Sequence, residues 1–273
     1  MKFYYWTGCS GVKNFGDELN KHIWPRLIPK EIFNLESDMT FVGIGTLLNE
    51  HLPQSKNIIV FGAGAGYGKL PEKRNSWDIY FVRGPITAKL LGLEKNKYIT
   101  DPAILAPELF TPNKKKIKKP GYMPHWRNAN GIWKRICDEQ NIVYINPLDE
   151  VSKIVDDITS VDFLITEAMH GAIVADAFRI PWTPVYDKQN AACLPLKWAD
   201  WTMSMNLSVE LFSIPHINEC DAFDSNKSKK IVNALNKIMH KPKALSEQHI
   251  LDSKLDNIYR QINFFVREFN NKH

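Results

Sequence analysis

Short apolar runs alternate with longer amphipathic stretches along the chain. Lys2–Trp6 (KFYYW) predicts a first strand, and Gly8–Phe15 a glycine-bearing loop. Asp17-Glu18 open a helix that runs to about Leu27, where Pro25 and Pro29 stop it. Thr40–Ile44, Asn57–Phe61 and Asp78–Val82 read as further strands. Helix Ile86–Leu91 follows, with Pro85 near its first position and Gly92 as its C-cap. Thr111–Pro120 is polar, lysine-rich and bracketed by prolines, which marks it as a domain boundary. The alternation then restarts: strand Gly121–Pro124, helix Ile132–Glu139, strand Ile142–Ile145, helix Glu150–Ser160. Phe163–Thr166 (FLIT) is a strand that turns into a helix opening near His170 and Gly171 and ending at Arg179-Ile180-Pro181. Pro184–Tyr186 is one more short strand, and Ser225–His240 and Glu247–Phe269 are helices. In the last of these Leu251, Leu255, Ile258, Ile262, Phe265, Val266 and Phe269 form one apolar stripe.

Strand–helix alternation in both halves predicts an α/β protein of two Rossmann-like units facing across a cleft, glycosyltransferase-B-like. The expected division is 1–115, an N-terminal α/β domain; 120–206, a second α/β domain; and 207–273, a helical extension packed across both. Composition alters this little. Of 273 residues 44% are hydrophobic and 24% charged, as in ordinary globular proteins. No apolar run reaches the roughly 18–20 residues a membrane helix needs, and MKFYYWTGCSG has too short an apolar patch for a signal peptide. Cys9, Cys137, Cys193 and Cys220 are far apart and have no metal or redox spacing, so a reduced, cytoplasmic setting is expected. The net charge of +5 is concentrated at Lys114–Lys119 (KKKIKK), which reads as a solvated linker; no nucleic-acid motif accompanies it. The run would also suit anionic lipids at the inner membrane face.

Ligands of open α/β sheets bind beyond the carboxyl ends of strands, where helix N-termini favour anions. Arg83, His125, Glu167 and His170 occupy such positions. Arg83 offers a planar fork for a carboxylate or phosphate, or else forms a structural ion pair, with Asp101 as one partner. His170 suits proton transfer near neutral pH, or else caps its helix. Asn14, Asp17 and Asn20 suit an anion or a sugar hydroxyl, with Asp17 as N-cap the alternative. Gly62–Gly68 (GAGAGYG) is not a dinucleotide fingerprint, since that frame needs glycine at Tyr67; it predicts a loop where backbone approaches a ligand or a neighbouring strand closely. Asp187–Trp201 carries Lys188, Lys197, Asp200, Trp198 and Trp201, and the tryptophans either stack on a sugar or sit in the core. No His/Cys/Asp/Glu set has metal-ligand spacing, and P-loop and nucleophile-elbow signatures are missing, so neither a metal nor a bound cofactor is expected.

EAMHGAIVADAFRIPW (Glu167–Trp182) resembles the C-terminal signature of the polysaccharide pyruvyl transferase family. The resemblance continues at Asn14–Asn20 (NFGDELN), Phe81–Gly92 (FVRGPITAKLLG), Asp101–Pro107 (DPAILAP) and Lys197–Trp201 (KWADW). It implies transfer from phosphoenolpyruvate to a sugar acceptor, free, nucleotide-linked or lipid-linked, to form a pyruvate ketal. His170, Glu167 and Arg83 would then serve catalysis, and Arg83, His125, Arg127, Lys188 and Lys197 donor binding. Asn14, Asp17, Asn20 and Trp198 would serve the acceptor. Many members carry S-R-L-H-G where this chain has Glu167–Gly171, so Ala168 replaces an arginine, as in the exopolysaccharide branch. Arg83, Arg127, Lys188 and Lys197 are the candidates to replace that cation. A metal-independent glycosyltransferase using a nucleotide sugar, or a non-catalytic carbohydrate-binding relative, are the alternative readings.

Overall fold

The computed structural model describes residues 1–7, 12–34, 38–53, 55–71, 76–112, 115–190, 194–221 and 224–272. Cys9, Cys193 and parts of the expected 8–15 loop and 111–120 boundary lie outside the described residues. In chain order the elements are β1 (Lys2–Tyr4), α1 (Phe15–Leu27), α2 (Lys30–Asn34), β2 (Met39–Val42), β3 (Asn57–Phe61), β4 (Trp77–Phe81) and α3 (Pro85–Leu90). They continue with β5 (Gly121–Met123), α4 (Gly131–Glu139), β6 (Val143–Tyr144), α5 (Val151–Ser160), β7 (Leu164–Thr166) and α6 (Met169–Ala177). The last are β8 (Trp182–Asp187), α7 (Pro195–Ser204), β9 (Phe212–Ile214), α8 (Ser225–Met239) and α9 (Gln248–Lys272).

Two wholly parallel sheets result, one of four strands in the order β1-β2-β3-β4 and one of five in the order β6-β5-β7-β8-β9. Parallel strands are covered on both faces, which is why β2, β3 and β7 are near-continuous apolar runs. The chain divides into two compact units. One comprises Met1–Leu105, Leu196–Ser208 and Ser246–His273; the other comprises Ala106–Pro195 and Val209–Leu245. α7 and α9 therefore belong to the first unit and α8 to the second.

The first unit packs Trp24, Phe41, Phe61 and Phe265 as stacked and edge-on rings on one side of its sheet. Phe265 comes from the predicted stripe of α9, whose Leu251, Ile258 and Ile262 are also buried. Val42, Val60, Val82 and Ala88 fill the other side. In the second unit Tyr122, Trp133, Ile165, Val185 and Leu235 share one core. Each such side chain taken from water contributes about 1.5–3 kcal/mol. No helix among the described residues is long and apolar enough to cross a membrane.

Close approach decides several glycines, among them Gly171 and Gly84. Gly171, early in α6, lies where a Cβ would come within 2.7 Å of Met123 Sδ, so its absence lets the helix sit tightly on β5. Gly84 precedes α3 in extended backbone (φ −153°), so its role is steric: a Cβ there would lie 2.0 Å from the backbone oxygen of Asp200 in α7. Backbone cannot yield as a side chain tip can. Gly84→Ala is therefore expected to lower the unfolding free energy by roughly 1–3 kcal/mol. Urea denaturation with an unchanged midpoint would contradict that packing.

Candidate active site

In the second unit the sheet order changes direction between β5 and β7, the switch point at which doubly wound sheets open a crevice at their carboxyl edge. Glu167 follows β7 directly, and its backbone N–H extends the ladder to Met123 O at 2.9 Å. Its side chain is fully buried. The Tyr122 hydroxyl, from β5, donates to Oε1; the Asn128 amide donates to Oε2 at 2.6 Å, and the His125 backbone N–H at 3.4 Å. Burial pushes the Glu167 carboxyl up to about 7, and the nearby Asp187 charge adds to this, while the three donors pull the other way. Tyr122 is itself held well above the usual phenol range by burial and by Glu167, so it stays a neutral donor.

His125 follows β5 and is nearly buried, at 6% exposure. Its Nδ1 lies 3.3 Å from the donating Arg127 N–H and 3.2 Å from the Asn190 amide nitrogen. When both donate, a neutral ring carries its proton on Nε2. Arg127 and Lys188 are solvent-exposed, and the Arg127 guanidinium lies over the Trp126 ring at 5.1 Å. His170 is half-buried in the first turn of α6, behind the N-cap Ala168, so it is not the cap. The end of β8 contributes Asp187, whose Oδ2 lies 3.3 Å from the Asn128 amide and 2.6 Å from His216 Nδ1. His216 stands just past β9.

The first unit closes its carboxyl edge differently, and several expectations are corrected there. Arg83, expected to hold the donor, has no exposed surface. Its Nε donates to Asp200 Oδ2 at 3.0 Å, Nη1 to Thr46 Oγ1 at 2.9 Å and Nη2 to the Ala65 carbonyl at 3.4 Å. Asp200 also accepts from the Thr87 N–H at 2.9 Å and the Thr87 hydroxyl at 2.7 Å. The guanidinium fork thus holds this chain's own carboxylate, that of Asp200. A Cβ at Gly64 would lie 2.2 Å from the Arg83 guanidinium carbon, so the GAGAGYG loop makes room for Arg83.

Trp198, expected to stack on a sugar, is completely buried in the first unit, as is Trp201. Lys197 is 7% exposed, and its Nζ donates to the Tyr67 hydroxyl at 3.0 Å. Asn20 is used up internally: its amide donates to the Asp17 and Ile44 carbonyls, and its Oδ1 accepts from the Ile44 and Trp24 N–H groups. It pins α1 to the end of β2. Asp17 is buried and accepts from the Asn14 amide at 2.6 Å. A separate cavity of about 470 Å³ lies beside the starts of β2 and β3 against α9, lined by Asp38, Lys56, Asp78, Tyr80, Phe265 and Glu268. It is not at a carboxyl edge, where open sheets place their ligands.

The second unit therefore holds the candidate site. Tyr122, Asn128, Asp187, Asn190 and His216 were not singled out from the sequence. Their common signal is position, since Asn128, Asp187, Asn190 and His216 stand at or within a few residues of the carboxyl end of a strand.

Two predictions follow from the buried charges. Arg83→Met would leave Asp200 buried without its cation, and is expected to lower stability by about 3–5 kcal/mol in denaturant unfolding. A second change, Asp200→Leu, should restore much of that loss. For Glu167 the folded pKa lies above the reference value, from 4.5 to about 7. Its contribution to stability is thus full below pH 4.5 and is lost as pH rises to about 7. Glu167→Gln should abolish this decline, of roughly 3 kcal/mol by linkage. Unfolding curves for the two proteins that stay parallel from pH 5 to 8 would refute it.

The sequence pattern that defines the polysaccharide pyruvyl transferases matches residues 3–189. The succinoglycan biosynthesis protein ExoV of Rhizobium meliloti (strain 1021) is 37% identical over 229 residues, covering 81% of this chain and 70% of that protein. Among solved structures, UDP-GlcNAc 2-epimerase of Methanocaldococcus jannaschii, in complex with UDP-GlcNAc and UDP, is similar at TM-score 0.42 and 10% identity, over 94% of this chain and 83% of that one. That likeness is too loose to carry an argument. The family pattern takes in Glu167, His125 and His170 at the second sheet's carboxyl edge: the chain belongs to the polysaccharide pyruvyl transferase family.

Proposed function

We propose that this protein transfers the enolpyruvyl group of phosphoenolpyruvate to a sugar of an exopolysaccharide precursor, of the succinoglycan kind, and closes it to a pyruvate ketal. Family membership supports the reaction class, and the similarity to a succinoglycan biosynthesis protein supports the acceptor class. The observation that carries the reading is the meeting of a near-neutral carboxyl with a histidine loop at the switch point: Glu167, tied to His125 and Asn128.

The chemistry asks for one proton to be delivered and two to be accepted. A proton goes to the methylene carbon of the donor, and a cation-like centre develops at the adjacent carbon. A sugar hydroxyl attacks that carbon and gives up its proton, phosphate leaves with the former ester oxygen, and a second hydroxyl closes the ring and loses its own. His170, beside the N-terminus of α6, is the proton donor in this reading. Glu167, near neutrality, accepts from Asn128 and the His125 backbone N–H and holds the His125 loop in place. The exposed cations Arg127 and Lys188 meet the carboxylate and phosphate, taking the part of the arginine that Ala168 replaces. The reaction is assigned to the cytoplasm, with an acceptor that is free, nucleotide-linked or lipid-linked.

Incubation with phosphoenolpyruvate and a panel of free, nucleotide-linked and lipid-linked sugars should release phosphate with at least one acceptor. No release with any of them, alongside turnover of a nucleotide sugar, would overturn the proposal. His170→Gln keeps some hydrogen bonding but cannot deliver the proton. It should lower turnover about 10²–10⁴-fold, roughly 3–5 kcal/mol of barrier, at near-normal donor affinity. Turnover within a few-fold of wild type would move the acid role to His125.

A further inference from the structure

The lysine run before β5 is not a free linker. The Ile117 N–H donates to the Ser160 carbonyl at 2.7 Å, the Lys119 N–H to the Ile117 carbonyl at 2.8 Å, and the Asp162 N–H to the Lys119 carbonyl at 2.9 Å. Residues 115–119 are thereby laid against the turn between α5 and β7, with Lys115, Lys116, Lys118 and Lys119 all exposed. A second group of lysines reaches the same place from the far end of the unit. Past α8, Trp182 N–H donates to the Ala244 carbonyl at 3.0 Å and Ala244 N–H to the Trp182 carbonyl at 2.7 Å, which ties this segment to the start of β8. The exposed Lys241 and Lys243 place their Nζ atoms 5.1 Å from the centre of the Phe212 ring and 4.6 Å from that of Phe163.

Phe163 immediately precedes β7 and Phe212 opens β9. The sheet is wholly parallel, so the starts of β5, β7, β8 and β9 form one edge, opposite the candidate site. Three strand spacings of about 4.8 Å make this basic patch roughly 14 Å across. Ile117, 38% exposed, stands among the lysines. Asp162 is also exposed and faces Lys116, offsetting one charge. Asp138 and Glu139, at the end of α4, pair with Lys134 at 2.7 Å and Arg135 at 3.9 Å.

We propose that this amino edge of the second unit is a docking face for an anionic lipid bilayer. The proposal is independent of the transfer reading above, since it concerns where the protein sits and not what it transfers. Anionic headgroups spread their charge over a plane, and the fold gathers cations from two distant segments onto one edge to meet it. Lysine stems and aromatic rings supply an apolar layer beneath the ammonium groups, as an interface between water and lipid demands, and Ile117 adds a side chain that can enter it. Segments 115–119 and 241–243 contain no arginine, whose fork grips single phosphates; their compact ammonium groups act as point charges toward a diffuse surface. β8, of six residues, separates this edge from the candidate site by roughly 20 Å, so docking leaves the crevice open to solution.

The test is co-sedimentation of the whole chain with vesicles of phosphatidylcholine alone, or with phosphatidylglycerol as about one lipid in three, at low and high salt. Binding is expected with the anionic vesicles only and should weaken as salt is raised. Each lysine close to such a surface contributes about five-fold in affinity, so Lys118→Gln with Lys119→Gln should weaken binding by about 10–30-fold, and Lys241→Gln with Lys243→Gln by as much. Lys229→Gln with Lys230→Gln removes the same charge near the other end of α8 and should leave affinity within a few-fold. Unchanged thermal unfolding checks that each variant is folded. Failure to bind anionic vesicles, or equal binding to neutral ones, would overturn the proposal. So would an equal loss from all three pairs, which would mean net charge alone, or no loss from the 241 and 243 pair, which would leave the lysine run acting by itself. Tighter binding to duplex DNA or RNA with the same lysine dependence would reassign the face to nucleic acid. The readout needs no turnover: absence of phosphate release sinks the reaction assignment and leaves the docking face to the vesicles.

Discussion

Keeping the Glu167 carboxyl out of water is the constraint on which the second sheet's carboxyl edge depends. Removing an ionised carboxylate from water costs several kcal/mol unless donors replace the solvent. Here the donors come from different pieces of chain: a phenol within β5, an amide and a backbone N–H from the loop after it. Satisfying one buried group thus fixes the course of residues 124–128. That course holds the His125 ring where Arg127 and Asn190 meet its Nδ1. The balance between burial and donors leaves the group poised near neutrality instead of locked in one form.

The first sheet meets the same problem and solves it in the opposite sense. Its carboxyl edge gathers Thr46, Ala65 and Arg83 from three successive strand ends, the arrangement that would grip an anion. The anion is supplied by Asp200 of α7, and Thr87 satisfies the remaining lone pairs of that carboxylate. The result is a closed ion pair with no surface in water. Strand carboxyl ends in two parallel sheets have therefore become a structural clamp and a titratable site, and fold class alone does not say which is which.

That contrast explains what the sequence discloses. Long periodic helices and β-branched runs are legible, so α1, α5, α9, β3 and β7 fall close to where patterning puts them. α2 and β9, with five and three residues, leave too short a signal. α7 opens on a proline and carries two tryptophans, which read equally as a sugar platform or a core. Glu167 and His125 are visible because each directly follows a strand. The partners are not: Asp200 lies 117 residues from Arg83, and Asp187 meets Asn128 across 59. Such pairings depend on which strands become neighbours, and nothing local encodes the order β6-β5-β7-β8-β9. Arg83 shows the cost of reading a residue without its partner, since a fork suited to a ligand's carboxylate is equally suited to one from its own chain.

The first unit is also written in three separated pieces, with residues 196–208 and 246–273 completing what 1–105 begins. During synthesis its aromatic layer waits for Phe265, and Arg83 waits for Asp200, while the second unit's last piece is finished by residue 245. Translation at about 5–20 residues per second makes that wait a matter of many seconds. Over that interval all four strands of the first sheet have been made but the aromatic layer lacks Phe265, and a carboxyl-terminal truncation leaves it in that state permanently. The unit begun first is thus the one completed last, when α9 leaves the ribosome.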